Sequence, residues 1–216
     1  MNHLHFLLSL ILFISKLSAV QLTLGNGWNL FAPVLAADQS AQAYFTEIGL
    51  NPSADISKVW SYNPDSGWAK FVPGADNTTS GRFDTLKVGG GYWVFMNQTA
   101  SVTLSDDFSS YGVDLTSGWN LVGLGSSRSV PIDVENFLSD TNFTSGSVGD
   151  IRKIWGYEQA GGWKSYNPTG NSNLSSLEPG FGYWFFNLSD LEINSQNVSL
   201  SDLFPPTCPG CPTIGN

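Results

Sequence analysis

Hydrophobic and polar residues alternate in short runs along much of the chain, as they do in β-strands with one buried face. The run from Ile56 to Tyr62 shows the pattern, with Trp60 and Tyr62 on one face and Val59 and Ser61 on the other. Clusters of Asn, Pro, Asp, Ser and Gly separate such runs and indicate turns. We therefore predict a mainly antiparallel β protein built from short strands.

One segment in the first half has helical spacing instead. Apolar residues recur at i, i+3, i+4 and i+7 between Ala41 and Ile48, and Gly49 stands where a left-handed residue ends a helix. Asp38 or Ser40 is placed to cap the N-terminus of this helix. We predict a helix here with one face on the sheet.

The second half contains a matching helical segment. Ser129 is its predicted N-cap, Pro131 lies close to its first turn, and Val134, Phe137 and Leu138 supply an apolar stripe. The predicted fold therefore has one short helix in each half, an α+β tendency within a mainly β class.

The strand Ile56–Tyr62, the turn Asn63–Gly67 and the returning strand Trp68–Val72 form a predicted hairpin. Two further stretches of the first half follow it. Phe83–Leu86 is predicted to form a short helical turn. Three glycines, Gly89–Gly91, come directly before the apolar strand Tyr92–Met96, and glycines in this position indicate a bulge or the close approach of another backbone. Alternation along that strand places Tyr92 and Trp93 on opposite faces.

The same aromatic motifs occur twice in the same order, 91 to 95 residues apart. Such self-similarity indicates a tandem duplication of a unit of roughly 85–90 residues. We predict a first repeat at 20–104, a linker at 105–112, a second repeat at 113–193 and a Pro- and Cys-containing tail at 194–216. The retained aromatic pairs are Trp28/Trp119, Trp60/Trp155, Tyr62/Tyr157, Trp68/Trp163, Phe71/Tyr166, Tyr92/Tyr183, Trp93/Trp184 and Phe95/Phe186.

Residues 1–19 have the character of a signal peptide. The apolar run from Phe6 to Ile14 is shorter than the roughly 20 apolar residues that span a bilayer, and cleavage after Ala19 is predicted. An internal edge strand is the alternative interpretation. We predict export, a secreted or cell-surface location, and no transmembrane segment in the mature chain.

Removal of residues 1–19 changes the chemistry that the chain can support. Both histidines lie there, so the mature chain has no His, 18 acidic residues and 8 basic ones. Without His, the Ser-His-Asp and Cys-His nucleophile systems and His-containing metal sites are excluded. The acidic balance argues against nucleic-acid binding, which needs a basic surface. We predict no cofactor and no metal.

Two interpretations of the retained aromatic residues remain open. They can fill the space between sheet and helix, since large rings bury much apolar area. Alternatively, some can form a platform on which sugar rings stack. The best candidates for ligand contact are Trp68 and Trp163, which directly follow predicted turns, together with Tyr62 and Tyr157.

Charged residues are retained far less between the copies than aromatic ones. The matching pairs are Asp55/Asp150 and Lys58/Lys153. A surface ion pair of little energetic value is the simplest interpretation. A catalytic pair is the alternative, and hydrolysis of glycosides would require two facing carboxylates.

Cys208 and Cys211 form a C-x-x-C motif in the tail, which is predicted to be extended or mobile. In an exported chain this spacing favours a local disulfide. A redox dithiol or half of a zinc site is the alternative. Candidate N-glycosylation sites are Asn77, Asn97, Asn142, Asn173, Asn187 and Asn197.

Taken together, the ordered motifs G-W-N-L, V-W-x-Y, G-W-x-x-[FY] followed by Pro, and G-x-G-Y-W-[VF] resemble a tandem repeat of prokaryotic secreted and cell-surface proteins. The resemblance covers about 22–104 and 113–193 and implies an extracellular module, with no activity attached to it. We predict a non-enzymatic structural or interaction module with a glycan or surface protein as partner. The alternatives are a carbohydrate-binding module that uses exposed aromatics and a glycosidase-like enzyme.

Overall fold

A computed structural model describes residues 20–104, 113–123, 131–140, 143–145, 148–188 and 205–213. The fold is mainly antiparallel β, with 45% strand and 12% helix, which confirms the predicted fold class. The predicted signal peptide, the predicted linker, and the sequons at Asn142 and Asn197 lie outside the described residues. No helix within the described ranges is long and apolar enough to cross a membrane.

The first half contains eight strands and two helices within residues 20–104. Its elements are β1 (Val20–Leu24), β2 (Gly27–Phe31), β3 (Gln39–Ser40), α1 (Ala41–Glu47), α2 (Pro52–Asp55), β4 (Ile56–Asn63), β5 (Gly67–Phe71), β6 (Thr85–Leu86), β7 (Tyr92–Met96) and β8 (Ala100–Leu104).

The described part of the second half follows a similar order. Its elements are β9 (Val113–Asp114), β10 (Gly118–Gly123), β11 (Ile132–Asp133), α3 (Val134–Asp140), β12 (Phe143–Ser145), a 3-10 helix (Val148–Asp150), β13 (Ile151–Glu158), β14 (Gly162–Tyr166), β15 (Ser176–Leu177) and β16 (Gly182–Asn187).

Each half builds one four-stranded antiparallel sheet. The first sheet has the order β2-β7-β4-β5 and the second has the order β10-β16-β13-β14. Their registers match as well, because Trp60 lies opposite Trp93 in the first sheet and Trp155 lies opposite Trp184 in the second. The common order and register support the predicted duplication.

Two-stranded sheets complete the fold. The antiparallel pairs β1-β8, β3-β6 and β11-β15 flank the four-stranded sheets, and β9 runs parallel to β12. The short strand β6 occupies part of Phe83–Leu86, so the helical turn predicted there is wrong. Thr85 pairs with Ser40, and this pairing requires extended backbone at β6.

Each four-stranded sheet covers its own apolar core with one face. Helix α1 closes the first core with Ala41, Tyr44, Phe45 and Ile48, so the predicted helical stripe is confirmed. Ser40 occupies the N-cap position without a side-chain hydrogen bond. Asp38, the alternative cap, forms an ion pair with Lys87 instead.

Helix α3 closes the second core through Val134, Phe137 and Leu138, as the apolar spacing predicted. Its N-terminus is capped by Asp133, whose carboxylate accepts hydrogen bonds from the backbone N–H groups of Glu135 and Asn136. The helix therefore begins at Val134, later than a cap at Ser129 would imply, and Ser129 itself lies outside the described residues.

A third apolar cluster lies between the two sheets, on the faces opposite the helices. All eight tryptophans belong to it, together with Tyr62, Tyr157 and several aliphatic side chains. We call this set of tryptophans and tyrosines the aromatic cluster. Its position corrects, for the tryptophans, the expectation that the large aromatics fill the space between sheet and helix, because the tryptophans join sheet to sheet. Phe71, Tyr92, Tyr166 and Tyr183 do pack in the helix-covered cores.

Candidate functional site

The predicted ligand-contact residues lie within the aromatic cluster. Trp184 is fully buried, with ring centroids 5.2 Å from Tyr62 and 5.7 Å from Trp68. The reciprocal contacts place Trp93 5.2 Å from Tyr157 and 5.6 Å from Trp163. Each turn-flanking tryptophan is thus half-buried against the central strand of the other sheet, where sequence reasoning expected an exposed ring.

Backbone contacts between the halves follow the same two-fold pattern. Phe31 forms a β-bridge with Phe181, and Val122 forms one with Gly90. The adjacent hydrogen bonds also correspond: the Ala32 N–H donates to Gly180 (2.9 Å), and the Gly123 N–H donates to Gly89 (2.8 Å). The sheets are therefore related by an approximate internal two-fold axis, in the manner of an isologous dimer interface.

Glycines at this junction allow the close backbone approach. A Cβ atom on Gly91 would lie 2.7 Å from the Val122 carbonyl oxygen, and one on Gly182 would lie 2.9 Å from the Phe31 carbonyl oxygen. Neither distance leaves room for a side chain. The close approach predicted from Gly89–Gly91 is confirmed, and the approaching strand belongs to the other half.

Residues 205–213 pack against one end of the aromatic cluster. Cys208 and Cys211 form a disulfide with Cα atoms 5.3 Å apart, and Cys208 is only 2% exposed. The Trp28 indole N–H donates to the Gly210 carbonyl oxygen. Contact with the aromatic rings therefore holds a segment that was expected to be extended or mobile, and burial of the sulfur atoms favours a structural role.

A small cavity of about 90 Å³ remains between this segment and the cluster. Trp93, Trp163 and Trp184 line one side, and Pro206 and Pro212 lie on the other. The buried indole N–H groups of Trp163 and Trp184 have no hydrogen-bond partner among the described residues.

The retained asparagine of the G-W-N-L motif has a structural task in both copies. The Asn29 side chain accepts a hydrogen bond from the Gly25 N–H and donates to the carbonyl oxygens of Gly25 and Gly27. Asn120 makes the corresponding bonds with Thr116 and Gly118. Sequence reasoning missed this role, although the recurrence of Asn after Gly-Trp was the available signal.

Two retained tyrosines act in a similar way. The Tyr92 hydroxyl accepts a hydrogen bond from the Lys87 N–H at 2.7 Å, and the Tyr183 hydroxyl accepts one from the Glu178 N–H at 2.7 Å. Burial raises the pKa of both hydroxyls well above the usual range of tyrosine. Each ring therefore remains neutral and fixes the loop before its own strand.

The retained Asp and Lys residues are also held by the fold. The Asp55 carboxylate accepts hydrogen bonds from the Asn51 N–H (2.7 Å) and the Gln98 amide (2.6 Å). The Lys58 ammonium lies 5.5 Å from the Trp28 ring centroid, and the Lys153 ammonium lies 4.9 Å from that of Trp155. Partial burial lowers the pKa of Lys153.

The ion pair expected between Asp55 and Lys58 is not among those that the described residues form. The ion pairs of this part of the chain are Lys87–Asp38 (2.8 Å) and Lys164–Glu158 (2.6 Å). Asp55 is instead a buried acceptor for backbone and amide donors.

A groove of about 590 Å³ lies where the first sheet meets β10 of the second half. Its lining includes Tyr62, Phe83, Tyr92 and Gly89–Gly91 of the first half and Leu121 of the second half. Burial raises the pKa of Tyr62, and of its counterpart Tyr157 in the second half. Of the four predicted contact residues, Tyr62 alone lines this groove.

The six sequons differ in accessibility. The Asn77 amide is buried and donates to the Val72 and Ala75 carbonyl oxygens, and Asn187 is fully buried. A glycan on either nitrogen would require local opening of the fold. The exposed candidates within the described residues are Asn97 and Asn173.

The described residues contain no group of three or more His, Cys, Asp or Glu side chains that could hold a metal ion. Comparisons with protein-family models, with curated proteins and with solved structures each found no match. The resemblance to a repeat of prokaryotic surface proteins therefore remains a prediction from the motifs alone.

Proposed function

We propose that this protein is a non-enzymatic extracellular interaction module, secreted or held at a cell surface. The observation that carries the proposal is the role of the residues retained in both copies. The retained tryptophans, Tyr62 and Tyr157 join the two sheets, while Asn29, Asn120, Tyr92 and Tyr183 fix turns and loops. Retention of this kind maintains a scaffold, as an interaction module needs.

The glycosidase-like alternative has less support. Hydrolysis of a glycoside uses two carboxylates on opposite sides of the scissile bond. The described residues that line the 590 Å³ groove include neither Asp nor Glu. The retained Asp55 is buried and accepts structural hydrogen bonds. A binding role without turnover fits this lining better.

The proposal is tested by measuring turnover of the chain 20–216 on chromogenic glycosides, esters and peptides and in a thiol–disulfide exchange assay. We expect no turnover above that of buffer. Asp55→Asn, Asp150→Asn and Cys208→Ser serve as the variants that would remove a carboxylate or dithiol activity. A turnover abolished by one of them, in a variant that retains its circular dichroism spectrum, would contradict the proposal.

Export is tested separately by expressing the full 216-residue chain in a secretory host. We expect the product in the medium with Val20 as its first residue, because residues 1–19 have an apolar segment followed by a small residue at the cleavage position. Retention of the whole chain inside the cell, uncleaved, would contradict the extracellular part of the proposal.

A further inference from the structure

The two halves carry side chains of different size at corresponding positions around the groove. Because the sheets share one strand order, each groove residue has a counterpart at the other junction. Ala69 of β5 corresponds to Lys164 of β14, and Gly90 corresponds to Phe181. On the neighbouring strand, Val122 corresponds to Phe31. At these three positions the smaller side chain borders the groove, and the larger one occupies the corresponding position of the other junction.

At the other junction, the larger side chains make favourable contacts with neighbouring residues. Phe181 is half-buried against the second core, and the Lys164 ammonium lies 2.6 Å from Glu158 across the hairpin. Phe31 is fully buried in the first core. The fold therefore tolerates bulk at these positions, and the need to form the sheets does not explain the small residues around the groove.

The groove has the size and the mixed lining of a ligand site. Its volume of about 590 Å³ falls within the range of roughly 300–1,000 Å³ that ligand pockets occupy. The Phe83 ring is half-buried, with its centroid 5.7 Å from that of Tyr92. Ser61, Tyr62 and Asn63 are also among its lining residues, and each carries a polar side chain that can form hydrogen bonds.

Charge indicates the kind of ligand. Among the described residues of the lining, Lys87 is the one that carries a charge, and it forms an ion pair with Asp38 at 2.8 Å. The described lining residues include no carboxylate to attract a cation, and the net charge of −9 disfavours an anion. An occupant with hydroxyl groups, apolar ring faces and no charge satisfies these conditions.

We propose that the groove binds a short segment of a neutral glycan, with a sugar ring on Phe83 and its hydroxyls near Ser61, Tyr62 and Asn63. This inference rests on the proposed function, since it names the ligand class of the interaction module. It places the glycan contact away from Trp68 and Trp163, which the fold uses between its sheets.

The test uses the chain 20–216 and four neutral tetrasaccharides: cellotetraose, mannotetraose, maltotetraose and tetra-N-acetylchitotetraose. Calorimetry and saturation-transfer NMR measure binding. We expect at least one saccharide to bind, and Ala69→Lys to weaken its binding by about tenfold or more, because the new side chain enters the groove. Lys164→Ala, at the corresponding position of the other hairpin, is the matched control and should leave binding unchanged.

A second variant tests the groove with a substitution that the fold should accommodate. Phe83 corresponds to Leu174, since the backbone N–H of each donates to a matching hairpin residue, Lys70 or Ser165. Phe83→Leu therefore copies a side chain that this fold already accommodates. We expect it to retain the circular dichroism spectrum and thermal midpoint of the parent and to lose the saccharide contact.

The outcomes separate the two proposals. Absence of binding to all four saccharides, or binding that both variants leave intact, would overturn the groove assignment. Binding of a polyproline peptide in place of any saccharide would overturn it as well. Hydrolysis of a bound tetrasaccharide would instead contradict the non-enzymatic function and leave the groove assignment in place.

Discussion

Asn29 and Asn120 show at the scale of single residues why polar side chains recur in an otherwise aromatic pattern. Each amide is buried and satisfies backbone groups of the turn that precedes its strand. Without the amide, those partly buried backbone groups would lose their partner inside the fold, and such a loss is costly. These asparagines are therefore as much part of the fold as the tryptophans beside them.

Asn29→Ala should reduce the free energy of unfolding by about 1–3 kcal/mol, because it removes the partner of partly buried backbone donors and acceptors. Urea denaturation followed by circular dichroism measures the change. Asn171→Ala, at an exposed position, is the control and should change the value by less than about 0.5 kcal/mol. Equal effects of the two substitutions would contradict the structural role.

The buried tyrosines make stability depend on pH in the alkaline range. The pKa values of Tyr92 and Tyr183 are raised by burial, so the folded state keeps both protons where the unfolded state releases them. Their contribution is complete below the unfolded pKa of about 10 and is lost as pH rises above it.

Above pH ~10 the free energy of unfolding should therefore fall by up to about 1.4 kcal/mol per pH unit for each such tyrosine. Urea denaturation at a series of alkaline pH values measures the slope. The double variant Tyr92→Phe/Tyr183→Phe should start from lower stability, having lost two hydrogen bonds, but show a shallower slope. Identical slopes in parent and variant would refute this assignment.

At the scale of secondary-structure elements, the sequence pattern predicted the faces of strands and helices better than it predicted which elements pack against those faces. Two-residue alternation correctly separated Trp93 from Tyr92 and Trp60 from Val59, and helical spacing located the stripe of α1. The pattern could not tell which layer covers each face. A sheet buried on both sides has two apolar faces, and the rings facing the other half were interpreted as core against the helix.

The same limit explains the misplaced turn-flanking tryptophans. Trp68 and Trp163 follow polar turns, and a ring in that position is exposed in an isolated hairpin. Their burial depends on contacts with the other half, between residues far apart in sequence. The groove was missed for a related reason, because it exists only where residues of the two halves meet.

The glycine junction gives an element-scale prediction. Gly91→Ala should reduce the free energy of unfolding by about 1–3 kcal/mol, because its Cβ would lie 2.7 Å from the Val122 carbonyl oxygen. Gly161→Ala is the control, since the nearest atom to its new Cβ belongs to the flexible Glu158 side chain. Similar losses from both substitutions, measured by urea denaturation, would argue against a tight junction.

The C-terminal segment, residues 205–213, gives a second prediction at this scale. Ending the chain at residue 204 should expose the Trp28 end of the aromatic cluster, because Gly210, Cys208 and Cys211 pack there. We expect a red shift of tryptophan emission and greater acrylamide quenching than in the chain that ends at 216. Unchanged emission and quenching would contradict the packing of this segment.

At the scale of the whole molecule, the approximate two-fold relation makes each half complete the other. The central tryptophan of each sheet, Trp93 or Trp184, is buried by rings from the opposite hairpin. Neither sheet could cover its tryptophan-bearing face alone, and a large exposed apolar patch favours association. The two halves should therefore unfold as one cooperative unit.

The aromatic motif thus specifies how two sheets associate, and the differences between the copies cluster at the groove for which we propose a ligand. Retained residues build the scaffold and its interface. Positions that differ in size, such as Ala69 and Lys164, open a groove on one side of the molecule. This division between scaffold and site is what an interaction module requires.

Hydrogen exchange on Trp184→Ala tests the central claim most directly. Trp184 belongs to β16 of the second sheet, but its ring packs on Tyr62 and Trp68 of the first. The account predicts that amides of β4 and β5 lose protection together with those of the second sheet. Loss of protection confined to the second sheet would contradict a shared aromatic interface.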